Sequence, residues 1–394
     1  LAPGQHGALF HPALGQAAGG RGAAVKGTGV PDPDRLLARN NFDLLRLLFA
    51  GTVCLVHAYE LSGFRELAWI ASFLSTAVAV KAFFVVSGFL IFMSYERSAS
   101  LGSYAGKRIR RIYPAYFAVV MLCALGLALA SARPLAEYFS FAWLKYVLAN
   151  LVFLNFLQPT LPGVFEANHM PAVNGALWTL KIEAMFYVSV PVFVVLFRRV
   201  PRLPAIVVVY CASVAYWALL TAAAERTGSG LYNELARQLP GQLSYFMSGA
   251  LLYYYLPFFV RHKASFLAAA LATLAIDRFV PLPSVEPFAL AVVVVFFGLF
   301  PYLGNFGKHG DFSYGAYILH FPIIQLFVQA GWFGDSPVLF LAAVVVAVAA
   351  GAVLMWHGVE KRFLFRSSHY IAASAAKVSP GETAHAALSG RREV

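Results

Sequence analysis

The stretch FDLLRLLFAGTVCLVHAYELS, residues 42–62, decides the fold. It is the length of helix that crosses a hydrocarbon layer about 30 Å thick, and its interior is apolar except for Arg46 and His57. Backbone amides inside a bilayer must be bonded within their own segment, so such a run becomes a helix. Similar runs recur along the chain near 77–96, 113–132, 177–197, 203–223, 239–258, 264–282, 286–302, 313–333 and 338–358. The expected fold is therefore all-α: a polytopic integral membrane protein with about ten transmembrane helices, plus one re-entrant or interfacial helix over 139–157.

Composition agrees. Across 394 residues, 60% are hydrophobic and 12% charged, where a soluble domain would carry roughly a quarter charged residues. The net charge of +12 raises the question of nucleic acid, and the placement of the cations answers it. They stand in short clusters between apolar runs, at Arg35/Arg39, Arg97 with Lys107/Arg108/Arg110/Arg111, Arg198/Arg199/Arg202, Arg261/Lys263 and Lys361/Arg362/Arg366. That is the pattern of membrane orientation, with clusters held on the cytoplasmic side. Ten spans with a cytoplasmic N-terminus put these clusters inside, whereas counting 139–157 as a full span would throw Arg198, Arg199 and Arg202 outside. Cys54, Cys123 and Cys211 each lie in an apolar run and form no disulfide or metal pattern. Residues 1–34 and 367–394 read as a disordered leader or tail and a disordered cytoplasmic tail around a membrane domain at 35–366.

Ionisable residues inside a span are expensive and mark function or interhelical contact. Arg46 and His57 are eleven positions apart, which returns to within about 20° of one helix face with a rise of roughly 16 Å. Arginine keeps its charge and histidine can trade a proton, which suits an anion held at one end and chemistry at the other. The spacing alone leaves a packed structural histidine as an equal alternative. FFVVSGFLIF (83–92) places Ser87 and Gly88 in mid-span, where small residues allow close helix approach. KRIRRIYPAYF (107–117) sets Arg108 and Arg111 three apart, just before a span whose start Pro114 marks, an arrangement suited to phosphate. In GALWTLKIEAMFY (175–187), Glu183 falls at about the depth of His57, so that either the two orient each other or the acid holds an acceptor hydroxyl, while Trp178 serves as an interfacial anchor or a site residue. DFSYGAYILHFP (311–322) carries Tyr317 and His320, which line a cavity or simply pack. Lys81 and Asp311 lie nearer span ends and read as snorkelling or headgroup side chains.

Arg46 with ten residues to His57, then FFVVSGFL, RRIYP, LWTLKIE, SYGAYILHFP and VEKRF, form in that order a set similar to the membrane-bound acyltransferase family 3, over about 40–366. The resemblance implies an enzyme, expected in a bacterial inner membrane with both termini cytoplasmic as the basic clusters require, that moves an acyl group, often acetyl, from acyl-CoA (acetyl-CoA as the usual donor) to a hydroxyl of a carbohydrate or lipid-linked saccharide. It implies His57 as the base, with Arg46 and Glu183 completing the catalytic group. It also implies Arg108 and Arg111 around the donor, where Arg46 and Ser87 are expected to join them; Asn174, Trp178, Tyr317 and His320 are expected around the acceptor. Thr179 stands where serine is common, and Lys81 in a stretch that is usually apolar. In the physical reading, the arginines hold the nucleotide's phosphates inside while the pantetheine arm rises along the first span to His57. There an acceptor hydroxyl attacks the thioester directly, a covalent acyl-enzyme on Cys54, one turn from His57 but on another face, being the less favoured alternative. The loop 133–176, with Arg133, Glu137, Lys145, Glu166 and His169, is the expected place for acceptor recognition. A transporter or flippase would also use intramembrane Arg, His and Glu; a receptor or scaffold is the third possibility. No nucleic acid and no metal are expected.

Overall fold

The computed structural model describes residues 33–365; the expected leader up to residue 32, the expected C-terminal tail and Arg366 lie outside them, while Pro33 and Asp34 begin a short helix, Pro33–Ala38. The described chain is helical, with no strand. The main helices are α1 (Phe42–Ser62), α2 (Thr76–Glu96), α3 (Leu101–Gly126), α4 (Phe141–Leu151), α5 (Trp178–Arg199), α6 (Arg202–Thr227), α7 (Gly230–Ala236), α8 (Leu239–Tyr254), α9 (Lys263–Asp277), α10 (Glu286–Leu299), α11 (Phe312–Gln329) and α12 (Pro337–Met355). Each expected span falls on one of them.

Among the described residues, six helices are long and apolar enough to cross a membrane, over Phe42–Ser62, Arg65–Glu96, Leu101–Ala130, Gly175–Arg199, Arg202–Thr227 and Pro337–Phe363. The protein is an integral membrane protein. The others stop short of the expected lengths for local reasons. Helix α8 breaks at Tyr255, before Pro257. Helix α9 ends at Asp277 ahead of Pro281 and Pro283, and α10 ends just before Pro301. Proline offers no backbone N–H and fixes φ, so these segments cannot be continued as the apolar pattern alone would suggest.

Pro114 does not start a helix. Helix α3 begins thirteen residues earlier at Leu101, where the Ser100 hydroxyl accepts a bond from Ser103 N at 3.1 Å. Arg108 and Arg111 therefore lie two to three turns inside the helix rather than at its positive end, which removes the helix-dipole argument for phosphate. Two other internal prolines leave carbonyls that the fold pairs from elsewhere. Pro191 cannot donate to Tyr187 O, and the Tyr104 hydroxyl donates there instead at 3.0 Å. Pro322 leaves Ile318 O open, and the Asn174 side-chain amide donates to it at 2.8 Å.

Helices α2 and α8 meet where Gly88 touches the Phe246 backbone carbonyl and Gly249 touches that of Val85; a Cβ at either glycine would collide with the oxygen. Small residues let the two backbones close on each other. Asn41 fixes the start of α1 against the end of α10. Its side chain donates to Phe297 O (3.0 Å) and Pro301 O (2.6 Å) and accepts from Leu303 N (2.9 Å). Helix α4 has eleven residues, a rise of about 16 Å, too short to span. It packs on the end of α3, where Tyr138 and Trp143 both donate to Ala124 O, at 2.9 and 2.7 Å. The loop that follows is tied to α11 by Gln325, which donates to Met170 O and Ala172 O, and by Gln329, whose amide oxygen accepts from Phe165 N at 2.6 Å.

Candidate functional site

Helices α1, α2, α3, α5 and α11 enclose a cavity of about 90 Å3, room for a slender chain or a small anion rather than a whole nucleotide. Six of the residues expected in the site line it: Arg46, Ser87, Arg108, Arg111, Glu183 and Tyr317. Their sequence separations run to hundreds of positions, so their convergence belongs to the fold.

Three guanidinium groups come together here, yet their environments differ. Arg46 and Arg111 both pair with Asp311, Arg46 at 2.7 Å, and Arg111 also reaches Glu360 at 3.3 Å. Asp311 is not a headgroup residue: it is 2% exposed, and its other oxygen caps α11 through Ser313 N at 3.0 Å. Glu360 is also buried. Two carboxylates thus hold Arg46 and Arg111 in place, as buried charges require. Arg108 makes no ion pair among the described residues; its guanidinium lies over the Tyr187 ring at 5.6 Å, and its Nε finds no acceptor. Arg108 and Arg111 therefore stand in unlike surroundings.

Glu183 is not the partner of His57. Its carboxylate accepts from the Tyr187 hydroxyl at 2.6 Å, one turn along α5. His57 instead shares a hydrogen bond between its Nδ1 and His320 Nε2 at 2.8 Å, the rings nearly parallel. Its Nε2 points elsewhere, with the half-exposed Glu60 carboxylate 3.9 Å away. His320 is fully buried and meets His57 through that bond. Phe321 stands edge-on to His57 at 5.5 Å.

The imidazole pair lies just beyond the cavity wall. Tyr317, which lines the cavity, has its ring 5.8 Å from that of His320, and its hydroxyl pairs with Thr179 at 2.7 Å. Thr179 lines the cavity as well. Asn174, expected at the acceptor, is buried, with its amide committed to Ile318 O and its oxygen to Ala176 N. Trp178 does not line the cavity; Arg237 lies over its ring at 5.7 Å. Lys81 does not snorkel alone, since it pairs with Glu286 at 3.4 Å. In the loop 133–176 there is an open cleft, where Arg133 reaches Glu137 and Glu166, all more than half exposed.

Sequence reasoning missed Asp311, Glu360, Tyr187 and Thr179 as parts of this arrangement. The available signal was charge: two arginines inside spans call for buried acids, and Asp311 and Glu360 stood at the ends of neighbouring spans.

The family profile described as an acyltransferase domain matches residues 39–357, which includes every residue of this site but Glu360. The chain belongs to that acyltransferase family. It is an acyltransferase, and among its relatives is nodulation protein 10 of Rhizobium leguminosarum bv. viciae, 29% identical over 352 residues, covering 82% of this chain and 92% of that one. Another is an O-acetyl transferase of Shigella phage Sf6, 28% identical over 339 residues, covering 84% of this chain and 97% of that one. An uncharacterized protein of Haemophilus influenzae is 32% identical over 121 residues, covering 29% of this chain and 47% of that one. No solved structure matches the acyltransferase.

Proposed function

We propose that the protein transfers an acyl group, acetyl in the simplest case, from cytoplasmic acyl-CoA to a hydroxyl of a carbohydrate or glycolipid, with His57 as the general base. The observation that carries this reading is the His57–His320 bond beside the arginine-lined cavity. For His57 Nε2 to take a proton from a hydroxyl, its Nδ1–H donates to His320 Nε2. His320, buried and immobile, then fixes both ring orientation and tautomer, the role an orienting partner plays for any catalytic imidazole. The deprotonated hydroxyl attacks the thioester carbonyl, the C–S bond breaks, and the thiolate leaves with a proton from the imidazolium.

In this reading the donor's phosphates lie at the cytoplasmic mouth, where Arg108, the guanidinium without a carboxylate partner, meets them, and Arg46 and Arg111 frame the passage. The thioester end reaches past Ser87 towards Tyr317. The name of the phage relative supports acetyl and an oxygen acceptor. We further propose ten spans in an inner membrane with both termini cytoplasmic and α4 as the interfacial or re-entrant helix, since that arrangement puts every basic cluster on one side.

The test is radiolabelled acetyl transfer from acetyl-CoA by purified protein in nanodiscs, paired with mass spectrometry of surface glycans and lipid-linked sugars from cells with and without the gene. His57→Ala that folds normally yet transfers at the wild-type rate would sink the mechanism.

A further inference from the structure

On the far side of α2 lies a second cavity, about 200 Å3 in volume, that the acyl-transfer reading leaves unused. Val80 lines the arginine cavity and Lys81 lines this one. Adjacent helix residues point about 100° apart, so α2 is the wall between the two. The remaining lining comes from the start of α8, the end of α9, the start of α10 and the middle of α6. Those helix ends lie at the end of the bundle opposite Arg46 and Asp311, which is the extracytoplasmic end in the proposed topology.

Its chemistry is unlike that of the first cavity. Lys81, Glu286 and Tyr245 hold one another: the ammonium meets one carboxylate oxygen at 3.4 Å, the Tyr245 hydroxyl donates to the other, and Lys81 lies over the Tyr245 ring at 5.0 Å. Three further groups have capacity to spare. Gln242 is 8% exposed; its amide nitrogen makes one long bond to Ala236 O at 3.4 Å, and its amide oxygen accepts nothing from the described residues. Asp277 commits Oδ1 to Leu282 N at 2.5 Å and leaves Oδ2 open. Trp217 presents an indole whose N–H has no acceptor among the described residues, beside the rigid Pro283 and Pro287.

One cation and two carboxylates disfavour an anion, so this is no second phosphate site. A neutral ring rich in hydroxyls fits: its O–H groups donate to carboxylate and amide oxygens, its oxygens accept from Lys81 and the indole, and its C–H face lies on Trp217. The volume admits one monosaccharide ring. A helix about 10 Å across separates this cavity from the arginine cavity, so a ring bound here cannot offer its own hydroxyl to the donor.

We propose that this cavity is a saccharide subsite, holding one sugar ring of the acceptor while a neighbouring ring of the same chain is presented to His57. The proposal rests on the acyltransferase reading above and narrows its acceptor to a chain of at least two sugars. The test is saturation-transfer NMR on the full chain in nanodiscs, with the methyl glycosides of glucose, galactose, mannose, rhamnose and N-acetylglucosamine as probes and acetyl-CoA binding measured in parallel. The expected result is saturation transfer to at least one glycoside. Gln242→Ala and Trp217→Phe should each weaken it by about tenfold, with acetyl-CoA affinity unchanged. Two variants guard against one simply misfolding, and retained acetyl-CoA binding reports the fold of each. No glycoside signal in a wild-type protein that binds acetyl-CoA overturns the subsite and leaves the acyltransferase reading standing, as does a signal of equal size in both variants. Glycoside binding by a protein that fails the radiolabelled transfer assay overturns the proposed acetyl transfer to carbohydrate instead.

Discussion

His57 and His320 are joined by a 2.8 Å hydrogen bond across 263 positions of sequence, and His320 is fully buried while His57 keeps 20% of its side chain exposed. In the proposed mechanism one ring reacts and the other holds it. Replacing His57 by alanine is expected to lower acetyl transfer by about 10²–10⁴-fold. His320→Ala should lower it less, and the double variant should be no slower than His57→Ala, because residues that act as a unit are not additive. Transfer rates on protein whose helical content is checked by circular dichroism decide this; independent, multiplying losses would mean that the two rings do not cooperate.

Asp311 carries two arginines at once. Asp311→Asn leaves Arg46 and Arg111 buried beside a neutral group, and breaking a buried pair by removing one partner costs about 3–5 kcal/mol. The melting temperature in detergent should fall by several degrees. Glu360→Gln, which removes one of two partners of Arg111, should lower it less. Equal stability of Asp311→Asn and wild type would contradict the ion-pair network.

The arginines of α3 should separate in kinetics. Arg108→Ala removes a cation that no carboxylate balances, so it should raise the KM for acetyl-CoA about tenfold or more with little change in melting temperature. Arg111→Ala should cost stability as well, since it takes the arginine away from Glu360 and leaves Asp311 with Arg46. Matched steady-state kinetics and thermal melts on the two variants are the check, and identical behaviour would show that both arginines do the same work.

Gly88→Val tests the α2–α8 contact. The added side chain meets the Phe246 carbonyl, a backbone atom that cannot swing aside, and overpacking of this kind costs about 1–3 kcal/mol. A lowered melting temperature is expected, and activity should fall with it, because α2 walls the arginine cavity. Unchanged melting would mean that the helices can separate freely here.

The sequence by itself determined that this chain lives in a membrane, where its helices lie, and which of its polar residues are exceptional. Those are local quantities: hydropathy over about twenty residues, charge clusters at span ends, and an ordered set of short motifs spanning nearly the whole family domain. Arg46, Ser87, Arg108, Arg111, Glu183 and Tyr317 were all legible in this way, and all six line one cavity. What only the tertiary structure decided is which residue answers which. Equal depth made Glu183 a candidate partner of His57, yet depth along the membrane normal says nothing about rotation or neighbour. The packing of α1 against α11 gives His57 to His320, while Glu183 stays with Tyr187. Asn174, expected beside the acceptor, donates to the carbonyl left open by Pro322. Pro114 reads as a helix start and lies inside a helix, because the Ser100 cap sets the beginning. Spacing fixes the face and height of a side chain on its own helix; only the helix packed against it decides what that side chain can do.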